Sequence, residues 1–132
     1  MNPVLLTLVA GLTASLMGFL SGSVLLKYKG DRALVLFVPV MEETLKTLAA
    51  VVFGAGIVPT HLVFGMVEAL YDLYSSPAAY STIAAALSIA SHMLFGTATW
   101  FILRYSGSVV LAVLAASVLH SLWNRIMTAY TG

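Results

Sequence analysis

The feature that most constrains this chain is the stretch from Pro3 to Leu26, which contains no charged residue. A bilayer's hydrocarbon core is roughly 30 Å thick and takes about 20 consecutive apolar residues to cross as a helix, so this run is long enough to span it. Similar runs follow. Tyr80 to Leu103 again lacks Asp, Glu, Lys and Arg, and Ser108 to Met127 contains only Arg125. Backbone in lipid must satisfy its own hydrogen bonds, which makes runs of this length helices. Of the 132 residues, 61% are hydrophobic and 8% charged, where a water-soluble domain carries about 25% charged residues. The chain therefore reads as an all-α integral membrane protein.

Breaks between the runs set the number of spans. Lys27-Tyr28-Lys29-Gly30-Asp31-Arg32 is a polar loop, Gly54-Ala55-Gly56 ends a second apolar segment, Ser75-Ser76-Pro77 ends a third, and Arg104-Tyr105-Ser106-Gly107 ends a fourth. Five transmembrane helices result, at about 3–26, 33–53, 59–74, 80–103 and 108–127, in a single membrane domain. The first lacks a basic leader and a small-residue cleavage site, so it reads as a retained anchor rather than a secretory signal. Lys27, Lys29 and Arg32, with Arg125, lie on one side against Arg104 on the other. By the positive-inside rule the N-terminus is outside and the C-terminus cytoplasmic, in a cell membrane.

Composition also excludes. A net charge of +1 without a long basic cluster does not fit nucleic-acid binding, which needs many phosphate contacts. The absence of cysteine removes disulfides, thiolate nucleophiles and sulfur-rich metal sites. Gly11, Ser15, Gly18 and Gly22 form a small-residue stripe that lets a helix backbone approach closely, either inside the chain or in a homodimer. Ala84, Ser88, His92 and Gly96 make a second row that turns His92 toward a protein neighbour.

Depth singles out the candidate chemistry. Counted from its ends, the second span centres on Glu43, the third beside Glu68, the fourth on His92, and the fifth about one turn before His120. A charge at a helix centre costs roughly 2.5 to 3.5 kcal/mol on insertion scales, so Glu42, Glu43, Lys46 and Glu68 at that level require mutual pairing or a function. Spacing pairs Glu42 with Lys46 and leaves Glu43 without a partner on its own helix. Glu43 or Glu42 is then the candidate general base. His92 and His120 supply acid, base or ligand nitrogens near neutral pH. Asn124, one turn after His120, either orients that histidine, donates to an oxyanion, or bonds another helix. His61 and Asp72, nearer the span ends, read as interfacial groups, and Tyr71, Tyr74, Tyr80, Trp100 and Trp123 as an aromatic belt.

Glu42-Glu43-x-x-Lys46, Phe64-Gly65-x-x-Glu68, His92 and His120-x-x-x-Asn124 occur in this order on four successive helices. The pattern resembles the PrsW family of intramembrane proteases, in the CAAX protease and bacteriocin-processing superfamily, and covers about Pro39 to Arg125. The type II CAAX prenyl endopeptidases of that superfamily carry a His where this chain has Glu68, and Ala69 stands where an Asn would be expected. The resemblance implies a four-helix catalytic core behind one N-terminal helix, and a membrane protein or peptide as substrate. It also implies that Glu42 and Glu43 activate water and that His92 and His120 are the intramembrane histidines. Glu and His without Cys suit a divalent metal such as zinc, with Glu43, His92 and His120 as ligands, and equally suit metal-free hydrolysis, since no His-Glu-x-x-His spacing is present. Two rivals come from other classes: a small transporter or proton or metal pathway, and a non-catalytic scaffold that binds transmembrane helices, as in the related scaffold subunit of gamma-secretase.

Overall fold

The computed structural model describes residues 2–30 and 32–131; Asp31, part of the expected first loop, lies outside the described residues. Among the described residues there are six helices and no strand. They are α1 (Pro3–Lys29), α2 (Arg32–Leu36), α3 (Val38–Phe53), α4 (Ile57–Ser75), α5 (Ser81–Ser106) and α6 (Val109–Thr131). Three of them are long and apolar enough to cross a membrane: α1, α5, and α6 from Val109 to Ala129.

The remaining two expected spans differ for identifiable reasons. The segment 33–53 is divided between α2 and α3 at Phe37, because Pro39 has no N–H to offer the carbonyl four residues earlier. The two pieces still run on as a kinked rod, since the Phe37 N–H reaches the Ala33 carbonyl at 3.0 Å and the Met41 N–H reaches that of Phe37 at 3.1 Å. In α4 the polar groups of His61, Glu68 and Asp72 dilute an otherwise apolar helix. The α3–α4 connection is tight: Gly54, at φ 64°, donates to Val51, and Ala55 donates to the Ala50 carbonyl at 2.8 Å, an ending that needs a left-handed residue.

Helices α3, α4, α5 and α6 pack in sequence around a ring that α6 closes against α3, and α1 lies outside it on α3 and α4. The small-residue stripe of α1 is consumed by that contact. Gly11, Ser15, Gly18 and Gly22 are all buried within the chain. A Cβ at Gly11 would collide with Val63, and one at Gly18 would sit 3.1 Å from the Phe64 ring. Of the two packings open to this stripe, the one inside the chain is seen.

The α4–α5 seam is keyed by two reciprocal pairs. A Cβ at Gly65 would lie 2.9 Å from the His92 Cβ, and one at Gly96 would lie 2.7 Å from the His61 Cβ. Each glycine thus makes room for the imidazole of the opposite helix. The second small-residue row predicted from sequence is this seam.

Candidate active site

On α3 the buried face carries Pro39, Glu42, Glu43, Lys46 and Ala50. Glu43 has no exposure and is held by donors from three helices. Its Oε1 accepts from Lys46 Nζ at 2.6 Å and from His120 Nδ1 at 2.8 Å, while Oε2 lies 3.1 Å from His61 Nε2. The ion pair on α3 is thus Lys46–Glu43 rather than the expected Lys46–Glu42. A lysine can reach back three residues or four, and here the other donors gather on the Glu43 side.

Lys46 fixes more than one neighbour. Its Nζ also lies 2.9 Å from His92 Nδ1 and 4.6 Å from the centre of the Phe64 ring. An ammonium is a donor only, so His92 accepts at Nδ1 and keeps its proton on Nε2, which donates to Glu68 Oε2 at 2.6 Å. The Phe95 ring stacks on His120 with centroids 4.6 Å apart, fixing its plane. With Nδ1–H given to Glu43, His120 turns a bare Nε2 toward Glu42, whose Oε2 is 3.9 Å away.

Glu42 is the exception in this cluster. Its Oε2 is buried and has no hydrogen-bond partner. It lies on the floor of a cleft of about 440 Å³, with Phe64 and Gly18, while Glu68, Asp72 and Ser88 line the wall. Glu42, His120, Glu43, Lys46, His92 and Glu68 form a near-closed ring of ionisable side chains, and its gaps are at Glu42.

These positions bear on three expectations, of which the interfacial reading of His61 is corrected. His61, read as interfacial, is fully buried: Gly96 on α5 admits its ring, Nδ1 donates to the Ile57 carbonyl at 2.9 Å, and Nε2 meets Glu43. Of the roles open to Asn124, the one seen is the bond to another helix: its Nδ2 donates to the Leu34 carbonyl at 2.9 Å and ties α6 to α2. Asp72, half-buried near the C-terminal end of α4, accepts from Ser88 Oγ at 2.5 Å. A signal for His61 was present: it precedes Glu68 by seven residues, two helical turns, and so shares its face.

The donors gathered for a metal are also different from those expected. Glu42, Glu68 and His92 each present one ligand atom within 4.8 Å of the others, whereas Glu43 is occupied by Lys46, His61 and His120. That set fits a metal poorly. The His92 nitrogen facing Glu68 is the protonated Nε2, which has no lone pair to give while Lys46 donates to Nδ1.

No protein-family model, curated protein or solved structure matches the chain.

Proposed function

We propose that this chain is an intramembrane endopeptidase of the PrsW type, working without a metal, with Glu42 as the base that activates water. The observation that carries the reading is the buried, unpartnered Oε2 of Glu42 on the cleft floor, beside the bare Nε2 of His120. A buried carboxyl oxygen without a hydrogen-bond donor is a costly arrangement in a merely structural role. It suits a group whose partner is a reacting water.

In this mechanism a water held at Glu42 attacks the scissile carbonyl as the carboxylate takes its proton. His120 Nε2 receives that proton and delivers it to the departing amine, and Glu43 holds the ring's tautomer and balances the imidazolium. Glu68 forms the opposite wall, held from behind by His92, whose ring Lys46 fixes. Substrate is a membrane protein whose helix unwinds locally at the cleft. We place α2 with α3, and α4, across the bilayer as the second and third of five spans, with the N-terminus outside and the C-terminus in the cytoplasm of a cell membrane.

A transporter would string its ionisable groups through the membrane's depth, whereas here they return on one another in a ring. The test is cleavage of single-span reporters, tagged at both ends and co-expressed with the chain. Glu42→Gln should abolish the cleaved product while the protein's expression and thermal unfolding in detergent stay unchanged. Cleavage by Glu42→Gln at the unaltered rate would refute the assignment.

A further inference from the structure

The cleft carries more carboxyl groups than hydrolysis uses. Glu42, Glu68 and Asp72 all line it, and no Lys, Arg or His does so among the described residues. Glu68 is answered by His92, and Asp72 has only the neutral hydroxyl of Ser88. Glu42 Oε2 has nothing. Glu68 and Asp72 are also four residues apart on α4, a spacing at which like charges oppose helix stability. A chain that keeps three carboxylates on one cavity wall, without a cation of its own there, is built to receive one.

Geometry narrows the cation. Glu42 and Glu68 approach each other closely, but Asp72 is not part of that cluster, so the carboxylates are spread along the wall rather than focused on one point. A metal ion takes donors converging on one centre. A flexible or forked organic cation takes an extended wall, and its apolar stem requires apolar surface beside the charges. Phe19, Leu26 and Val67 supply that surface in the same cleft.

Position says where the cation comes from. The floor is the buried Glu42, and the exposed residues of the wall, Phe19, Ser23, Leu26 and Tyr71, belong to the C-terminal halves of α1 and α4. The mouth therefore opens at the end of the bundle that bears Lys27, Lys29 and Arg32. On the proposed orientation this end is cytoplasmic, and it is there that membrane proteins concentrate lysine and arginine beside their spans.

We infer that the cleft is a subsite for a lysine or arginine side chain flanking the cytoplasmic end of a substrate's transmembrane segment, with Asp72 as its specificity residue. The inference rests on the proteolytic reading for its purpose, but binding can be measured without cleavage. The probe is a set of three synthetic single-span peptides, identical except for Lys, norleucine or Glu at the residue flanking the apolar segment. They are presented to the full chain in phosphatidylcholine nanodiscs. The Lys peptide should bind at least about tenfold more tightly than the norleucine peptide, and the Glu peptide most weakly. Asp72→Asn should shrink the Lys advantage several-fold.

Equal binding of all three peptides by the unaltered chain overturns the inference, whether or not Asp72→Asn folds. So does an undiminished Lys advantage in a folded Asp72→Asn protein. Disappearance of the advantage when phosphatidylethanolamine replaces phosphatidylcholine would assign the site to a lipid ammonium and overturn it as a peptide subsite. Lys-selective binding without cleavage of any peptide would remove the protease reading and leave the subsite standing; cleavage without Lys selectivity would do the reverse.

Discussion

Glu42 and Glu43 are neighbours in the sequence and opposites in their surroundings. Glu43 faces the interior of the helical ring, where Lys46, His61 and His120 all approach its two oxygens. Glu42, about 100° further round α3, lines the cleft with a buried oxygen that has no hydrogen-bond partner. The difference teaches that one residue type at one depth can serve two purposes, and that partner count separates them. A carboxylate ringed by donors ties helices together, whereas one without donors makes no such tie.

This contrast can be broken most severely at Glu43. Replacing it with Gln leaves Lys46 as a buried ammonium without its counter-charge, a change that costs about 3–5 kcal/mol in comparable buried pairs. Thermal unfolding in detergent should show a large loss of stability, and unfolding like that of the unaltered protein would contradict the organising role. Glu42→Gln should do the converse: stability within about 1 kcal/mol, since no bond is lost, with at least ~10²-fold slower reporter cleavage.

The interhelical supports should have smaller effects. Gly96→Ala drives a methyl into the His61 ring, an overpacking worth about 1–3 kcal/mol, and should lower stability and shift the His61 ring signals in NMR. Asn124→Ala removes one bond between α6 and α2, about 0.6 kcal/mol on the average for such bonds in a membrane protein. It should leave cleavage nearly unchanged, and a catalytic-scale loss would return Asn124 to the active centre. The smallest effect should come from a chelator. Activity should survive dialysis against EDTA, because Lys46 keeps the proton of His92 on the nitrogen a metal would need.

Helix positions were legible because lipid imposes long apolar runs. The stretch 80–103 became Ser81–Ser106 and 108–127 became Val109–Thr131. Depth was legible too, and it brought Glu43, Glu68, His92 and His120 into one network. Rotation was not. Whether Lys46 turns to Glu42 or Glu43 is decided by donors on α4 and α6, which helical spacing alone does not carry. His61 was misplaced for a related reason: its burial depends on a missing side chain on a different helix, Gly96, and not on its distance from the end of its own. A bond to another helix was among the roles open to Asn124, but its acceptor, the Leu34 carbonyl, is far away in sequence and spacing could not name it.

The crossed glycine and histidine pairs of α4 and α5 act as two dowels in two sockets. Sliding either helix by one turn would push both rings against side chains, so the pair resists shear and can move only as a unit. The polar groups of α4 and α5 therefore stay level with each other as the pair moves.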